Sequence, residues 1–166
     1  MTSDDTPDAP SRDRLIEIRI DPNSVTRGNS AIEHEREVAI FDILDGNVFA
    51  LAGEDNGPYR LDLAIADDRL VFKVTPETDA DRVATHMIPL MPFKRLLKDY
   101  FLVLDSYYQA IRSGQPSRIE AIDVGRRGLH DEGSNLLMEK LDGKISVDFD
   151  TARRLFTLVA ALHWKG

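Results

Sequence analysis

At Pro92 the hydrophobic pattern of this chain changes period, and that change limits the possible folds more than any other feature. Upstream, apolar residues alternate with polar ones in short runs: Ile16, Ile18 and Ile20, then residues 48–51, then Leu61, Leu63 and Ile65, then Leu70, Phe72 and Val74. Alternation of this kind marks half-buried strands. Downstream, Phe93, Leu97, Tyr100, Leu104, Tyr107 and Ile111 recur in steps of four and three. That spacing is a stripe along one helix face. Proline suits the first turn of such a helix and Gly114 its end.

The rest of the chain fits around this division. A strand from about Arg14 closes at Asp21-Pro22, and Ser30 with Glu33 forms a capping box for a helix running to about Asp45. Gly46 is expected to supply a left-handed terminus. Turns at Gly53–Gly57 and Asp67-Asp68 separate the strands of an antiparallel meander, with residues 83–90 as a fourth run. Two further helical patterns cover residues 117–124 and 129–141, residues 145–149 are β-like, and a last helix starts near Thr151. The expected fold is α+β: a small antiparallel sheet of four or five strands packed with a helical C-terminal half of about four helices. Residues 1–12, rich in Asp, Pro and Ser, are expected to be a disordered acidic tail, and residues 13–166 one α+β domain.

Composition excludes several functions. There is no cysteine, so thiolate metal sites, iron–sulfur clusters and thiol nucleophiles are ruled out, and a reducing, cytoplasmic setting is expected. The N-terminus lacks a basic start and an apolar core, and no run is apolar enough for a membrane span. A net charge of −8 argues against general nucleic-acid binding. The charge is uneven: residues 1–91 carry nine Lys and Arg against nineteen Asp and Glu, and residues 92–166 carry twelve against ten. Either the two halves neutralise each other or the second half presents a basic surface.

The densest concentration of chemistry is residues 123–135, with three glycines, an arginine pair and His130-Asp-Glu132. Arg126 and Arg127 offer planar forks for phosphate or carboxylate, Gly128 allows close backbone approach, and His130 is expected to be able to titrate near neutral pH. The structural alternative is a helix start in which Arg127 pairs with Asp131. Glycines at 125, 128 and 133 weigh against it, because each costs about 1 kcal/mol inside a helix unless close packing offsets it. Lys94, Arg95 and Lys98 form a second basic cluster at the start of the long helix. Glu33-His34-Glu35 with Glu37 reads as a solvated acidic face, and no metal site or cofactor is expected. Residues 145–151 have a passing likeness to the aspartyl-nucleophile strand of haloacid-dehalogenase-like phosphatases, but Thr151 comes one residue early. Asp150 is better placed as the cap of the last helix.

Several stretches together resemble an uncharacterised bacterial protein family, UPF 0262. They are Glu33-His-Glu-Arg-x-Val-Ala-Ile-Phe-Asp42, Gly57-Pro-Tyr59, Pro92-Phe, Lys98-Asp-Tyr-Phe101, Ser106-Tyr-Tyr108 and Ile119-Glu-Ala-Ile-Asp123. They continue with Gly125-Arg-Arg-Gly-Leu-His130, Glu132-Gly133, Asp148-Phe-Asp-Thr-Ala-Arg-Arg-Leu-Phe-Thr157 and Leu162-His-Trp164. The resemblance covers about residues 14–166 and implies a cytoplasmic, single-domain protein. It carries over no catalytic or cofactor residue, and Asn at position 131 in the family pattern weighs against a catalytic Asp131.

The leading expectation is a non-enzymatic binding or regulatory module. In it Arg126, Arg127, Gly128 and His130, helped by Lys94, Arg95 and Lys98, hold an anionic small molecule or an acidic protein surface. A small hydrolase or transferase with His130 as general base, oriented by Glu132, is the alternative. A structural homodimer closed by the apolar stripe of the long helix is a further one.

Overall fold

The computed structural model describes residues 11–25 and 27–163, so most of the expected N-terminal tail lies outside the described residues. The elements are β1 (Leu15–Ile20), α1 (Ser30–Asp45), β2 (Phe49–Leu51), β3 (Tyr59–Ala66), β4 (Arg69–Pro76) and β5 (Ala84–Pro89). A 3-10 turn at Met91–Phe93 then leads into α2 (Lys94–Ser113), α3 (Pro116–Leu141), β6 (Ile145–Val147) and α4 (Phe149–His163). The fold is α+β, with the C-terminal half helical as the change of period at Pro92 requires.

The meander forms where alternation is strongest. β3, β4 and β5 pair antiparallel, with Leu63 opposite Phe72 and Leu70 opposite Ile88, all four buried. The β3–β4 turn is Asp67-Asp68, both with positive φ (53° and 61°). Two left-handed residues are what a twisted two-residue hairpin needs, and aspartate tolerates that region better than most. Two details differ from the sequence expectation. First, β1 joins the sheet parallel to β3, so the order β1-β3-β4-β5 is mixed. A parallel pair needs a long crossover, which α1 provides. A register irregularity between Leu15 and Glu17 also breaks the Ile16/Ile18/Ile20 alternation, leaving Leu15 and Ile18 as the buried pair. Second, residues 49–51 leave the meander and pair with β6 as a separate two-stranded ribbon, Phe49 opposite Val147 and Leu51 opposite Ile145.

Side chains fix the joints between layers. Asn47 receives the Leu15 N–H on Oδ1 (2.7 Å) and donates Nδ2 to the Leu15 and Ile43 carbonyls (3.2 and 2.9 Å). It thereby ties the end of α1 to β1. Buried Thr151 accepts the Val48 N–H on Oγ1 (2.9 Å), locking α4 to the start of β2. Arg36 of α1 is buried and donates to the Ala161 and Leu162 carbonyls, satisfying two groups that the end of α4 leaves open.

The helix ends correct three expectations. Asn29, not Ser30, caps α1: its Oδ1 accepts the Ile32 N–H at 2.9 Å, and Ser30 is already helical. Gly46 is extended (φ −167°) rather than left-handed, because the chain runs on toward Asn47 and β2. Asp148, not Asp150, caps α4 by accepting the Thr151 N–H at 2.9 Å. Gly114 behaves as expected. It is left-handed (φ 65°), and the Gly114 and Gln115 N–H groups reach back to the Ile111 and Ala110 carbonyls. This closes α2 and turns the chain into α3, where Pro116 takes the first position.

α3 is one helix of 26 residues, not two. It runs antiparallel to α2 and packs its C-terminal half on α4, and α4 also packs on α1. α4 buries Thr151, Ala152, Leu155, Phe156 and the unbroken run Leu158 to Leu162, and turns Asp150 and Arg154 outward. Of the three α3 glycines, only Gly133 is explained by packing. A Cβ there would run into the ring of Phe156, whereas a Cβ at Gly125 or Gly128 would meet nothing. Hence Gly125→Ala and Gly128→Ala are each expected to stabilise the protein by about 0.5–1 kcal/mol. Gly133→Ala is expected to destabilise it by about 1–3 kcal/mol through overpacking. Urea unfolding of the three variants checks the signs, and stabilisation by Gly133→Ala would show that α3 can move off α4 freely.

Candidate functional site

The α2–α3 hairpin dictates the geometry of the site. On α3, Arg126 and His130 are four residues apart and share a face; on α2, Tyr100, Leu104 and Tyr107 share the facing one. Running the helices antiparallel sets Tyr100 against His130 and Tyr107 against Arg126. The Tyr100 hydroxyl lies 3.0 Å from His130 Nε2, and the Arg126 guanidinium sits 4.8 Å from the centre of the Tyr107 ring. Phe156 of α4 meets both Tyr100 and His130 edge-on, with ring centres 5.9 and 6.4 Å away.

Tyr100, Leu104, Tyr107, Arg126 and His130 line a cleft of about 330 Å³. Its remaining walls are Glu35 of α1, Tyr108 of α2, and Thr157, Ala160 and Ala161 of α4. A second depression, of about 290 Å³, also borders His130 and Thr157 and is lined by Asp42, Asp150, Arg153 and Arg154. His130 therefore borders two openings.

Burial pushes the His130 imidazole down from 6.5 to about 4, helped by the Arg153 and Arg126 cations. Burial pushes the Tyr100 phenol up to about 12. At neutral pH both partners are uncharged. The buried side-chain nitrogens without a hydrogen-bond partner among the described residues are Arg126 Nε, His130 Nδ1 and Arg153 Nε. All three belong to residues lining these two openings.

The residues singled out from sequence divide clearly. Arg126 and His130 come together in the cleft. Arg126 also donates to Asp123 Oδ1 (2.8 Å), and its side chain is only 30% exposed. Arg127 donates to the other oxygen of the same carboxylate (2.8 Å), but its side chain is 67% exposed. Its partner is thus Asp123 rather than Asp131. Gly128 is exposed in the helix interior. Lys94 pairs with Asp68 (3.0 Å), and Arg95 and Lys98 are exposed on the first turns of α2. Arg126 lies over Tyr107, roughly 20 Å of helix axis from Lys94 at about 1.5 Å per residue, so the two basic clusters do not meet. Glu132 is exposed, and the hydrogen bond to His130 comes from Tyr100 instead. Of the apolar stripe of α2, Phe93, Leu97, Tyr100 and Leu104 are buried, Tyr107 is half-buried and Ile111 is exposed.

Arg153 and Thr157 were not singled out by sequence reasoning, Tyr100 and Tyr107 were read only as part of the apolar stripe, and Glu35 only as part of a solvated acidic face. One signal was present: two tyrosines seven residues apart put polar tips on an otherwise apolar stripe. Among the described residues no group of three His, Asp or Glu is placed to hold a metal ion, and no helix is long and apolar enough to cross a membrane.

Fold and site together define an α+β protein with a polar, aromatic-lined cleft enclosed by four helices. The chain belongs to the uncharacterised protein family UPF0262, whose model matches residues 12–165. It is 56% identical over 153 residues to a UPF0262 protein of Agrobacterium fabrum, covering 92% of this chain and 96% of that one. It is 53% identical over 160 residues to one of Nitrobacter hamburgensis, covering 96% and 97%. A relative in Rhodopseudomonas palustris BisB5 is 51% identical over 156 residues, covering 94% and 95%. No solved structure matches the chain.

The lowered pKa of His130 has a consequence for stability. Below pH 6.5 the unfolded chain takes up a proton at this position that the folded chain refuses until about pH 4. Stability therefore falls as pH drops through that window. The loss is about 2 kcal/mol, because water in the cleft screens part of the full effect. Urea unfolding at about pH 7 and about pH 4.5 measures it, and His130→Gln is expected to lose less stability than the parent. Equal losses would mean that the imidazole is not held neutral by burial.

Proposed function

We propose that this protein is a non-enzymatic binding module whose helical cleft takes a small anionic ligand at Arg126 and His130. One observation carries the reading: three buried nitrogens without hydrogen-bond partners among the described residues belong to side chains lining the two depressions that His130 borders. When the Tyr100 hydroxyl donates to His130 Nε2, the neutral ring keeps its hydrogen on Nδ1. All three nitrogens are then donors. A buried donor left unpaired costs about 1–3 kcal/mol, and one anion can accept from several.

A small ligand fits better than an acidic protein surface, because Arg127, Lys94, Arg95 and Lys98 are dispersed and partly paired, whereas the unpaired donors lie inside. Catalysis by His130 fits less well. A base held near pH 4 is weak at neutral pH, and Glu132 is turned to solvent.

The test is the melting temperature of the full chain in rising inorganic phosphate, sulfate and citrate. A ligand at a hundred times its dissociation constant adds about 2.7 kcal/mol, a rise of roughly 5–10 °C at this length. The rise is expected to vanish in Arg126→Gln and to persist in Arg127→Gln. No rise with any anion, or equal rises in parent and Arg126→Gln, would overturn the proposal.

A further inference from the structure

We infer that the anionic ligand is a small amino acid, its carboxylate at Arg126 and His130 and its ammonium group at Glu35 in the same cleft. This rests on the anion-binding reading above and adds the opposite charge of the ligand. Among the described residues lining the cleft, Glu35 and Arg126 carry the charge at neutral pH, because His130 is neutral there. They come from different helices packed on α4, Glu35 from α1 and Arg126 from α3. The two do not pair with each other. Arg126 pairs with Asp123. Glu35 makes no hydrogen bond or ion pair among the described residues, although it also borders the α1–α2 groove that holds His34 and Arg112. Both charges nevertheless act inside the cleft. Burial raises the Tyr100 pKa, Arg126 opposes that shift and Glu35 adds to it, so both reach the same phenol.

A carboxylate and a guanidinium that share a cavity without pairing discriminate between classes of ligand. A plain anion at Arg126 gains donors but is repelled by Glu35, and further negative charge makes the repulsion worse. A plain amine meets the reverse. A ligand with one charge of each sign turns the repulsion into a second charge-assisted contact. Leu104, Ala160 and Ala161 give the cleft an apolar wall that suits the short aliphatic body joining the two charges. The volume of about 330 Å³ matches a ligand of this size rather than a larger one.

The experiment is calorimetric titration of the full chain at neutral pH with γ-aminobutyrate, δ-aminovalerate and leucine, each beside its amine-free counterpart: butyrate, valerate and isocaproate. At least one amino acid is expected to bind roughly fivefold or more tightly than its counterpart, the gain of one charge-assisted contact. Glu35→Gln is expected to act with opposite signs on the two ligands. It weakens the amino acid to the level of the counterpart and leaves the counterpart bound at least as tightly as by the parent. Position 35 is exposed, so the variant is expected to keep the parent's melting temperature. If the amine-free carboxylates bind through Arg126 but no amino acid exceeds its counterpart, the amino-acid inference fails and the anion reading stands. An advantage of the amine that survives Glu35→Gln also overturns the inference. Absence of binding by every carboxylate and amino acid, together with phosphate, sulfate and citrate, overturns both.

Discussion

The missing side chain at Gly133 sets how closely α3 lies on α4, and the site depends on that distance. Phe156 fills the space where a Cβ would stand, and the same ring supports Tyr100 and His130 edge-on. Just beyond, Ser134 donates to the Phe149 carbonyl at 2.8 Å and pins α3 to the start of α4. The buried residues of α3 are Gly133, Ser134, Leu137 and Leu141, all in its C-terminal half. Toward its N-terminus α3 is exposed or half-buried and packs against α2 in the hairpin. The cleft opens along this part of α3, with Arg126 and His130 on its wall.

Elements were legible where local sequence and tertiary environment agree. The meander and α2 follow from periods of two and 3.6 because each has one buried and one wet face. The caps of α1 and α4 were misplaced by one or two residues. Asn29 stands next to Ser30 and Asp148 is near Asp150, so either neighbour can cap and only the folded backbone decides. The β2–β6 pairing and the Asn47 and Thr151 joints are long-range hydrogen bonds that leave no periodic trace. In the site, Arg126 and His130 stood out because their residue types are foreign to a core. Tyr100 and Thr157 did not, since their bodies fit apolar stripes and only their tips are polar.

The uneven charge of the two halves also resolves differently from the simple expectation. Lys94 with Asp68 joins the halves, but Arg82 with Glu54, Glu17 with Arg19 and Arg60, and Asp123 with Arg126 and Arg127 all pair within one half. Such pairs at the surface contribute little to stability. The asymmetry is therefore not a device that holds the halves together; apolar burial along α4 does that. What the basic half gains from its arginines is local: Arg126 and Arg153 set the field at one imidazole.

Most of this chain obeys the rules that make a sequence specify one structure. Its turn between β3 and β4 has two left-handed residues, α2 ends in a glycine cap, and α1 and α4 carry side-chain caps. The departures gather in one place. Gly125 and Gly128 weaken α3 where no neighbour requires a glycine. Three buried nitrogens lack hydrogen-bond partners among the described residues, and burial with the charges of Arg153 and Arg126 holds an imidazole neutral. Each departure costs on the order of 1 kcal/mol or more, and together they are a large fraction of a typical folding free energy. Stability alone would favour removing them, and simple substitutions such as glycine to alanine do so at no steric cost. Local and easily relieved departures of this kind are what the ligand site proposed at Arg126 and His130 would leave in the sequence.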